Sequence, residues 1–391
     1  MSATAMGGPG RKIRLLFISS INVRWMHLEW LSQELDRERF DVSFLLVSIA
    51  ERRPSLESFL PGQGIPFRTL ECKLRPREIL RTVREIRRHC RRHRIDIVHT
   101  HIFFASLVGL LGAFLAGVPV RINTRHHASM NHGTSFYWLD RLTNLLANRI
   151  IATSELLRRV LTRENAAPEK VRLVRLGIDT ARFRQVPESE VRQLAARYNP
   201  RGAWPVIGVI ARHIELKGVQ YVVPAFQKLL ETYPCAYLIL GYATGPYHST
   251  IEEKLAAIPR DRYCQIEFEE NVFALYRLFD VFVHAPIGEE EESFGLTYLE
   301  ALASGVPSVF TLAGVAPEFL EHRRNAWIVP HRDSDKIHEG LLALLGDPAL
   351  RDALVRQGRE DVEAPFGYRR MVRELEDVYA EGFRELAGGQ A

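Results

Sequence analysis

Residues 292–307 read Glu-Ser-Phe-Gly-Leu-Thr-Tyr-Leu-Glu-Ala-Leu-Ala-Ser-Gly-Val-Pro. Gly295 precedes a helical pattern, and the free N–H groups in the first turn of a helix can hold a phosphate at its positive end. Glu300, about one and a half turns into that helix, can accept two hydroxyls of a ribose, and Glu292 can hold the hydroxyls of a sugar. The spacing therefore predicts a cradle for a nucleotide-activated sugar. Its predicted binding segment comprises Phe294, Gly295, Leu296 and Thr297.

The same stretch has a plainer interpretation. Residues 289–292 are four consecutive acids, which also suit a solvated loop. The apolar spacing around Glu300 equally suits an amphipathic helix packed on a core. The stretch alone leaves both interpretations open.

A second segment of similar chemistry lies at residues 208–218, Gly-Val-Ile-Ala-Arg-His-Ile-Glu-Leu-Lys-Gly. It follows an apolar run typical of a strand and opens a helical pattern. Arg212 and Lys217 would neutralise a pyrophosphate, each charge-assisted hydrogen bond contributing roughly 1.5 to 3 kcal/mol. Two solvated surface cations are the alternative that this segment leaves open.

Short apolar and β-branched runs alternate with helical patterns along the whole chain, which is typical of an α/β protein with parallel sheets covered by helices. The length of 391 residues suits two such domains rather than one core. Open parallel sheets bind ligands at the carboxyl ends of their strands, where both segments described above lie. We predict strands at residues 13–18, 42–47, 95–100, 120–124, 149–152 and 171–176, and then at 206–210, 236–240, 265–268, 281–285, 308–311 and 327–329.

The charges of the chain are distributed unevenly. Residues 1–200 contain 33 Lys and Arg against 18 Asp and Glu, which leaves 19 against 29 in the remainder. The first half therefore suits an anionic partner, which could be a phosphorylated ligand, nucleic acid or an acidic membrane leaflet. The four cysteines have no Cys-x-x-Cys spacing, and the longest apolar stretch, residues 105–120, is too short to span a membrane. We therefore expect a cytoplasmic protein.

A predicted helix at residues 76–93 is strongly basic. Its arginines recur every three or four residues, and an apolar set lies roughly opposite. One interpretation is peripheral contact with the anionic inner face of a membrane, where each cation contributes about 1 kcal/mol; the other is an ordinary solvated face. The basic set is Arg77, Arg81, Arg84, Arg88 and Arg91, and the apolar set is Ile79, Leu80, Val83, Ile86 and Cys90.

These motifs, in this order, resemble those of the retaining glycosyltransferases of family 4, and the resemblance covers nearly the whole chain after Arg11. The carboxyl-terminal half carries the more specific motifs, and the first half matches in strand and turn positions. The matching residues are Gly208, Arg212, Lys217-Gly218, Glu292, Glu300, Gly305-Val-Pro307, Gly314 and Glu318, with Asp96-Ile-Val-His99-Thr-His101, Ser154, Gly177-Ile-Asp179 and Phe183 in the first half.

The resemblance implies the GT-B fold, in which two Rossmann-like domains have parallel sheets that face each other across a cleft. We predict a disordered tail at residues 1–10 and an N-terminal Rossmann-like acceptor-side domain at 11–195, with residues 188–204 as its end and the linker. A C-terminal Rossmann-like nucleotide-sugar-binding domain follows at 196–365. A last helix at 366–391 would cross back to the first domain.

The resemblance also implies roles for single residues. Arg212 and Lys217 would bind the donor's phosphates and stabilise the departing nucleotide without a metal or a cofactor, and Glu292 would orient the transferred sugar. The donor would be a UDP or GDP sugar, and the acceptor a glycan or a lipid-linked sugar in cell-surface polysaccharide or glycoconjugate synthesis. The family places a histidine beside the donor sugar, which we assign to His126, with His127 as second choice.

Two further histidines lie on the strand that precedes the apolar helix. We take His99 and His101 to point to opposite sides of this strand, so that only one of them would line the cleft. With His126 and His127 they suggest zinc, but no cysteine or carboxylate is spaced to complete such a site. We predict that no metal is bound.

The sequence departs from the family pattern after its first strand. Relatives have a Gly-Gly loop there, whereas this chain has Ser-Ser-Ile-Asn-Val-Arg-Trp at residues 19–25. Asn22 or Arg24 could replace the backbone contact through its side chain, or the loop could serve the acceptor. The Asp333-Ser-Asp335 segment resembles a metal-binding motif of another glycosyltransferase fold, but we interpret it as a helix cap.

Rival functions remain at this point. A nucleotide-sugar epimerase or a phosphorylase would share the GT-B fold and differ in its products. A nucleic-acid-binding protein would use the basic half, but the arginine helix lacks interleaved aromatic residues for base stacking, so we expect no nucleic-acid partner.

Overall fold

A computed structural model describes residues 11–21, 26–49, 54–128 and 134–387 of the chain. The chain divides into two compact units. Unit 1 comprises residues 1–177 and 368–391, and unit 2 comprises residues 178–367. The predicted disordered tail, together with Asn22 and Arg24, lies outside the described residues.

Each unit contains one parallel sheet. The sheet of unit 1 has the order β3-β2-β1-β4-β5-β6-β7, and that of unit 2 the order β10-β9-β8-β11-β12-β13. The strands are β1 Ile13–Ser19, β2 Phe40–Ile49, β3 Phe67–Cys72, β4 Ile97–His101, β5 Val120–Arg125, β6 Arg149–Ala152 and β7 Val171–Leu173 in unit 1, and β8 Val206–Ile210, β9 Tyr237–Gly241, β10 Tyr263–Ile266, β11 Val281–His284, β12 Ser308–Phe310 and β13 Trp327–Ile328 in unit 2.

Helices form most of the connections between the parallel strands. They are α1 Met26–Glu34, α2 Leu56–Phe59, α3 Pro76–Arg92, α4 Phe103–Ala116, α5 Thr134–Leu146, α6 Glu155–Arg163, α7 Thr180–Arg184, α8 Glu188–Tyr198, α9 Val219–Thr232, α10 His248–Leu255, α11 Val272–Tyr276, α12 Leu296–Ser304, α13 Ser334–Gly346, α14 Pro348–Glu363 and α15 Tyr368–Gly382. No helix in the described ranges combines the length and the apolar composition needed to cross a bilayer.

The burial of the central strands accounts for the apolar runs from which the fold was predicted. β1, β4 and β5 are buried almost throughout, as strands covered by helices on both faces must be. All twelve predicted strands correspond to strands of the structure. β3 was missed because it lies at the edge of the sheet and reads Phe-Arg-Thr-Leu-Glu-Cys, in which Leu70 and Cys72 are buried but Phe67, Arg68 and Glu71 are exposed.

The first boundary between the units lies after Gly177, not after residue 195 as we predicted. The predicted linker is instead largely helical, because α8 covers residues 188–198 and buries Leu194 and Tyr198. Phe183 on α7 packs against Phe273 of unit 2, with ring centroids 4.6 Å apart. The last helix, α15, belongs to unit 1.

Helix ends follow local sequence rules. Asp333 accepts a hydrogen bond from the Lys336 amide at the start of α13, so the Asp333-Ser-Asp335 segment does contain a helix cap. Asp347 caps α14 in the same way, with Pro348 in its first turn.

The basic helix α3 packs through Val83, Ile86 and Cys90, as the pattern predicts. Leu80, which we placed on this apolar face, is instead exposed. It lies at the border of the stripe, where the helical period turns it away from the sheet.

Candidate functional site

The loop after β8 carries the two predicted cations. Arg212 is exposed, and Lys217 ends a single 3-10 turn, Glu215–Lys217. Gly218 follows with a φ of 70°, and a Cβ there would lie 1.7 Å from the carbonyl oxygen of Ala285. The backbone of this loop therefore lies directly against the loop after β11, which only glycine permits.

This close approach brings Lys217 to Glu292. The Lys217 Nζ lies 2.5 Å from Glu292 Oε2, and the two side chains are only 17% and 13% exposed. Burial alone would raise the pKa of Glu292, but the nearby Lys217 and His284 together hold it well below its usual range. Glu292 is therefore a partly buried carboxylate that stays ionised.

His284 is a member of this group that the sequence analysis missed. It ends β11, is almost fully buried and places Nε2 3.2 Å from Glu292 Oε2. Its ring lies edge-on to Tyr298, with centroids 4.8 Å apart. Burial lowers the pKa of His284 even though Glu292 opposes this shift, so the ring is neutral near pH 7. Its position at the carboxyl end of a strand was the available signal.

The N-terminus of α12 directly follows Glu292. Gly295 has a φ of 91°, and a Cβ there would lie 2.5 Å from the Tyr298 ring. In the first turn the Tyr298 amide donates to the Gly295 carbonyl, whereas the amides of Leu296 and Thr297 have no acceptor within the helix. The hydroxyl of Thr297 is buried and has no hydrogen-bond partner among the described residues.

Phe294 differs from the other residues of the predicted segment. Its side chain is buried and contacts Phe366, with centroids 6.4 Å apart, so only its backbone is available to a ligand. Its carbonyl accepts the amide of Val315. Gly314, with a φ of 62°, fits against the carbonyls of Phe294 and Glu292. The Gly314 turn therefore supports the loop that carries Glu292.

Glu300 lies inside α12 and is buried. Its Oε2 accepts a hydrogen bond of 2.9 Å from the Tyr276 hydroxyl on α11. Burial raises the pKa of Glu300 to about 7. Direct polar contacts join Lys217, Glu292 and His284, and no hydrogen bond or ion pair within the described ranges joins Glu300 or Arg212 to Lys217.

Unit 1 contains a histidine cluster in which the buried His101 ends β4, the partly buried His126 follows β5, and the buried His27 comes from α1. The His101 Nδ1 lies 3.1 Å from His126 Nε2, and the His27 ring lies within about 6 Å of both rings. Burial lowers the pKa of His27 to about 4, and those of His101 and His126 well below the usual value. The cluster is therefore neutral at physiological pH.

His99 and His101 point to the same side of β4, contrary to our expectation. Their ring centroids are 4.2 Å apart, because residues two apart in a strand share a face. His99 is fully buried and lies 2.7 Å from the Tyr379 hydroxyl of α15 and 2.6 Å from Thr124 Oγ1. His99 thus joins two strands to α15.

His126 and His127 have different surroundings. His127 Nε2 lies 3.1 Å from Asp140 on α5, beside the buried Arg125. Arg125 itself forms 2.6 Å ion pairs with Asp140 and Glu164, which fixes α5 and α6 to β5. His126 instead lies within the histidine cluster. Over the residues that the structure describes, no group of three or more His, Cys, Asp or Glu side chains is arranged to hold a metal ion.

Comparisons with known proteins agree with this architecture. Residues 26–182 match the model of Glycosyltransferase Family 4, and residues 192–361 match that of Glycosyl transferases group 1. The chain is 27% identical over 310 residues to N-acetyl-alpha-D-glucosaminyl L-malate synthase of Bacillus anthracis, which covers 76% of this chain and 78% of the relative. It is also 27% identical over 316 residues to D-inositol 3-phosphate glycosyltransferase of Saccharomonospora viridis, covering 75% and 72%.

Solved structures share the fold. The crystal structure of Anabaena Alr3699/HepE in complex with UDP-glucose superposes with a TM-score of 0.80 at 18% identity, covering 94% of this chain and all of that one. The two parallel sheets are thus those of the GT-B fold.

Proposed function

Since the chain belongs to the glycosyltransferases of family 4 and group 1, we propose that it moves a sugar from a nucleotide-diphosphate donor to an acceptor and retains the anomeric configuration. The proposed donor is a UDP or GDP sugar, and the proposed acceptor is a glycan or glycolipid of cell-surface polysaccharide or glycoconjugate synthesis. The UDP-glucose held by Alr3699/HepE supports a nucleotide-sugar donor. The observation that carries the proposal is the partly buried Lys217–Glu292 pair, whose glutamate lies just before the N-terminus of α12.

In this proposal the charge of the donor diphosphate is met by fixed groups of unit 2. Lys217 and Arg212 neutralise its oxygens, and the first amides of α12 donate to it. The Thr297 hydroxyl, which has no hydrogen-bond partner in the part of the chain that the structure describes, is a further donor at the same helix end. These groups do the work that a metal ion does elsewhere, so we propose a metal-independent reaction.

The two glutamates take different parts of the donor. Glu300, as a carboxylate, accepts hydroxyls of the ribose, and Glu292 accepts hydroxyls of the transferred sugar. The acceptor hydroxyl then attacks the anomeric carbon from the face that the diphosphate leaves, and the departing phosphate oxygen takes the acceptor's proton. We assign His126 to the position beside the donor sugar, where a neutral imidazole can hydrogen-bond a hydroxyl.

A thermal-shift panel of UDP, GDP and ADP sugars in the presence of a chelator tests the donor site. A ligand at a hundred times its dissociation constant adds about 2.7 kcal/mol of stability. We expect one nucleotide class to stabilise the wild-type protein, and Glu300→Ala and Lys217→Ala to remove most of this effect. Equal stabilisation of both variants would contradict the site, and a strict requirement for a divalent cation would contradict metal independence. Product analysis with labelled donor distinguishes sugar transfer from epimerisation.

We also propose that unit 1 contacts the anionic inner face of a membrane through α3. The five predicted arginines of α3 are exposed, although Glu78 and Glu85 pair with two of them. Helix α4 packs on both α3 and α5, and α5 exposes Trp138 by 64% and Leu145 by 73%. The Arg141 guanidinium lies 5.3 Å from the Trp138 ring centroid. Aromatic, aliphatic and cationic side chains on one helix are typical of contact with a membrane interface.

Vesicle flotation tests this contact. We expect the protein to float with vesicles that contain anionic lipid and not with neutral ones, and the fraction bound to fall with salt. Arg84→Glu with Arg88→Glu should abolish binding, and Trp138→Ser should weaken it. Binding that is insensitive to these changes, or concentration-dependent dimerisation through Trp138 instead, would contradict the proposal.

A further inference from the structure

We propose that His284 is a positioning residue of the donor site, which holds Glu292 while Lys217 exchanges this carboxylate for the donor's diphosphate. The inference rests on the proposed function, because it assumes that Lys217 binds phosphate and Glu292 binds the sugar. It concerns a histidine to which the sequence motifs assign no role.

Two hydrogen-bond donors approach the same carboxylate oxygen of Glu292. Lys217 Nζ and His284 Nε2 lie 2.5 Å and 3.2 Å from Glu292 Oε2. Within the described part of the chain no donor contacts Oε1 of Glu292, so this second oxygen is open to a sugar hydroxyl. The hydrogen bonds from Lys217 and His284 thereby fix the direction in which Glu292 Oε1 points.

The protonation of His284 follows from its contacts. Its Nδ1 is buried and has no hydrogen-bond partner among the described residues, while Nε2 faces a carboxylate oxygen. A ring nitrogen that approaches a carboxylate must carry the proton, so the neutral ring is the Nε2–H tautomer and donates to Glu292.

In this proposal the donor's diphosphate draws the ammonium group of Lys217 away from Glu292. The ammonium group is already 2.5 Å from Glu292, and a diphosphate carries more negative charge than one carboxylate. When Lys217 turns to the diphosphate, Glu292 loses its cation, and a buried carboxylate without a partner is strongly destabilised. The hydrogen bond from His284 does not depend on Lys217 and keeps Glu292 ionised and oriented.

His284→Leu and His284→Gln separate this role from simple packing. Leucine fills the space but has no hydrogen-bond donor, whereas the Nε2 of glutamine can occupy about the position of the imidazole Nε2 and donate a hydrogen bond from there. The measurements are the dissociation constants of the nucleoside diphosphate and of its sugar conjugate, with kcat and KM for transfer. Thermal unfolding of each variant verifies that it is folded.

We expect the leucine variant to bind the nucleoside diphosphate within about twofold of wild type and to lose about tenfold or more in kcat/KM for the nucleotide sugar. The glutamine variant should recover most of this loss. In a Glu292→Gln background the leucine change should have no further effect on the nucleotide sugar, because His284 acts through Glu292. If the leucine variant does not fold, His284→Asn replaces it, since its amide ends near the position of Nδ1 and does not reach Glu292.

The inference is overturned if the wild-type enzyme is active and the leucine variant keeps its kcat/KM. It is also overturned if the leucine change weakens the binding of the nucleoside diphosphate and of the nucleotide sugar equally and the glutamine variant recovers none of the loss. The first outcome leaves the proposed function intact, since only His284 is then without a role. Failure of wild-type protein to bind any nucleotide sugar would instead overturn the proposed function together with this inference.

Discussion

Replacing Glu300 by glutamine should stabilise the protein at pH 8 and have little effect at pH 4.5. Glu300 is buried, and its hydrogen bond from Tyr276 does not offset the loss of hydration. Its pKa therefore rises from 4.5 to about 7 on folding. The folded state then binds more protons than the unfolded state between these two values, so the stability contributed by Glu300 falls as the pH rises through this window.

The size of the effect follows from the pKa difference. One pKa unit corresponds to 1.36 kcal/mol, so the change from 4.5 to about 7 is about 3 kcal/mol. Below pH 4.5 the carboxyl is protonated in both states and resembles the amide of glutamine. Above pH 7 the wild-type protein contains a buried carboxylate, and the variant does not.

Urea unfolding of both proteins between about pH 4.5 and pH 8 measures this difference. Because the other ionisable groups are common to both proteins, subtracting the two free energies of unfolding isolates Glu300. We expect the difference to be near zero at the acid end and to reach about 3 kcal/mol at the alkaline end. Tyr276→Phe is the matched control, since it removes the hydrogen bond and keeps the carboxyl. A difference that does not change with pH would refute the burial argument, whatever the activity of the variant.

Three further predictions concern the same unit. Lys217→Met should lower kcat/KM on the order of a hundredfold, because one fixed cation for the leaving group is lost; steady-state kinetics at saturating acceptor measure this, and unchanged kinetics would contradict the role of Lys217. Gly218→Ala should destabilise unit 2 by several kcal/mol, because its Cβ would collide with the Ala285 carbonyl. Gly202→Ala is its control, since Gly202 has a φ of 60° but nothing within 4 Å, so it should cost only about 1 kcal/mol in urea unfolding. Thr297→Val should weaken nucleotide-diphosphate binding by about tenfold in calorimetry without loss of thermal stability, since its buried hydroxyl has no partner within the described residues.

The fold could be predicted from the sequence because parallel strands covered on both faces must be apolar, and twelve such runs are visible. Strand β3 and helix α8 were not predicted, each for a physical reason. β3 is an edge strand that buries Leu70 and Cys72 but exposes Arg68 and Glu71, so its sequence is less apolar than that of a central strand. α8 is amphipathic and lies between proline-containing segments, so its polar side chains resemble those of a linker.

The candidate site could be predicted only as separate residues. Spacing indicated Lys217 for a phosphate and Glu292 for a sugar, but their ion pair depends on how closely two loops approach at Gly218 and Ala285. That distance is a tertiary property with no local signal. His284 ends an apolar strand, where a buried histidine cannot be distinguished from a structural one without its neighbours.

The return of α15 to unit 1 has a consequence for how the chain is made. Unit 2 is one uninterrupted segment, whereas unit 1 needs residues from both sides of it. Tyr379 supplies the hydroxyl against which the His99 ring lies, and Glu376 pairs with Arg39. During synthesis, therefore, unit 1 cannot complete its packing at β4 until α15 has left the ribosome. A prematurely terminated chain that lacks α15 would contain a complete unit 2 and an incomplete unit 1.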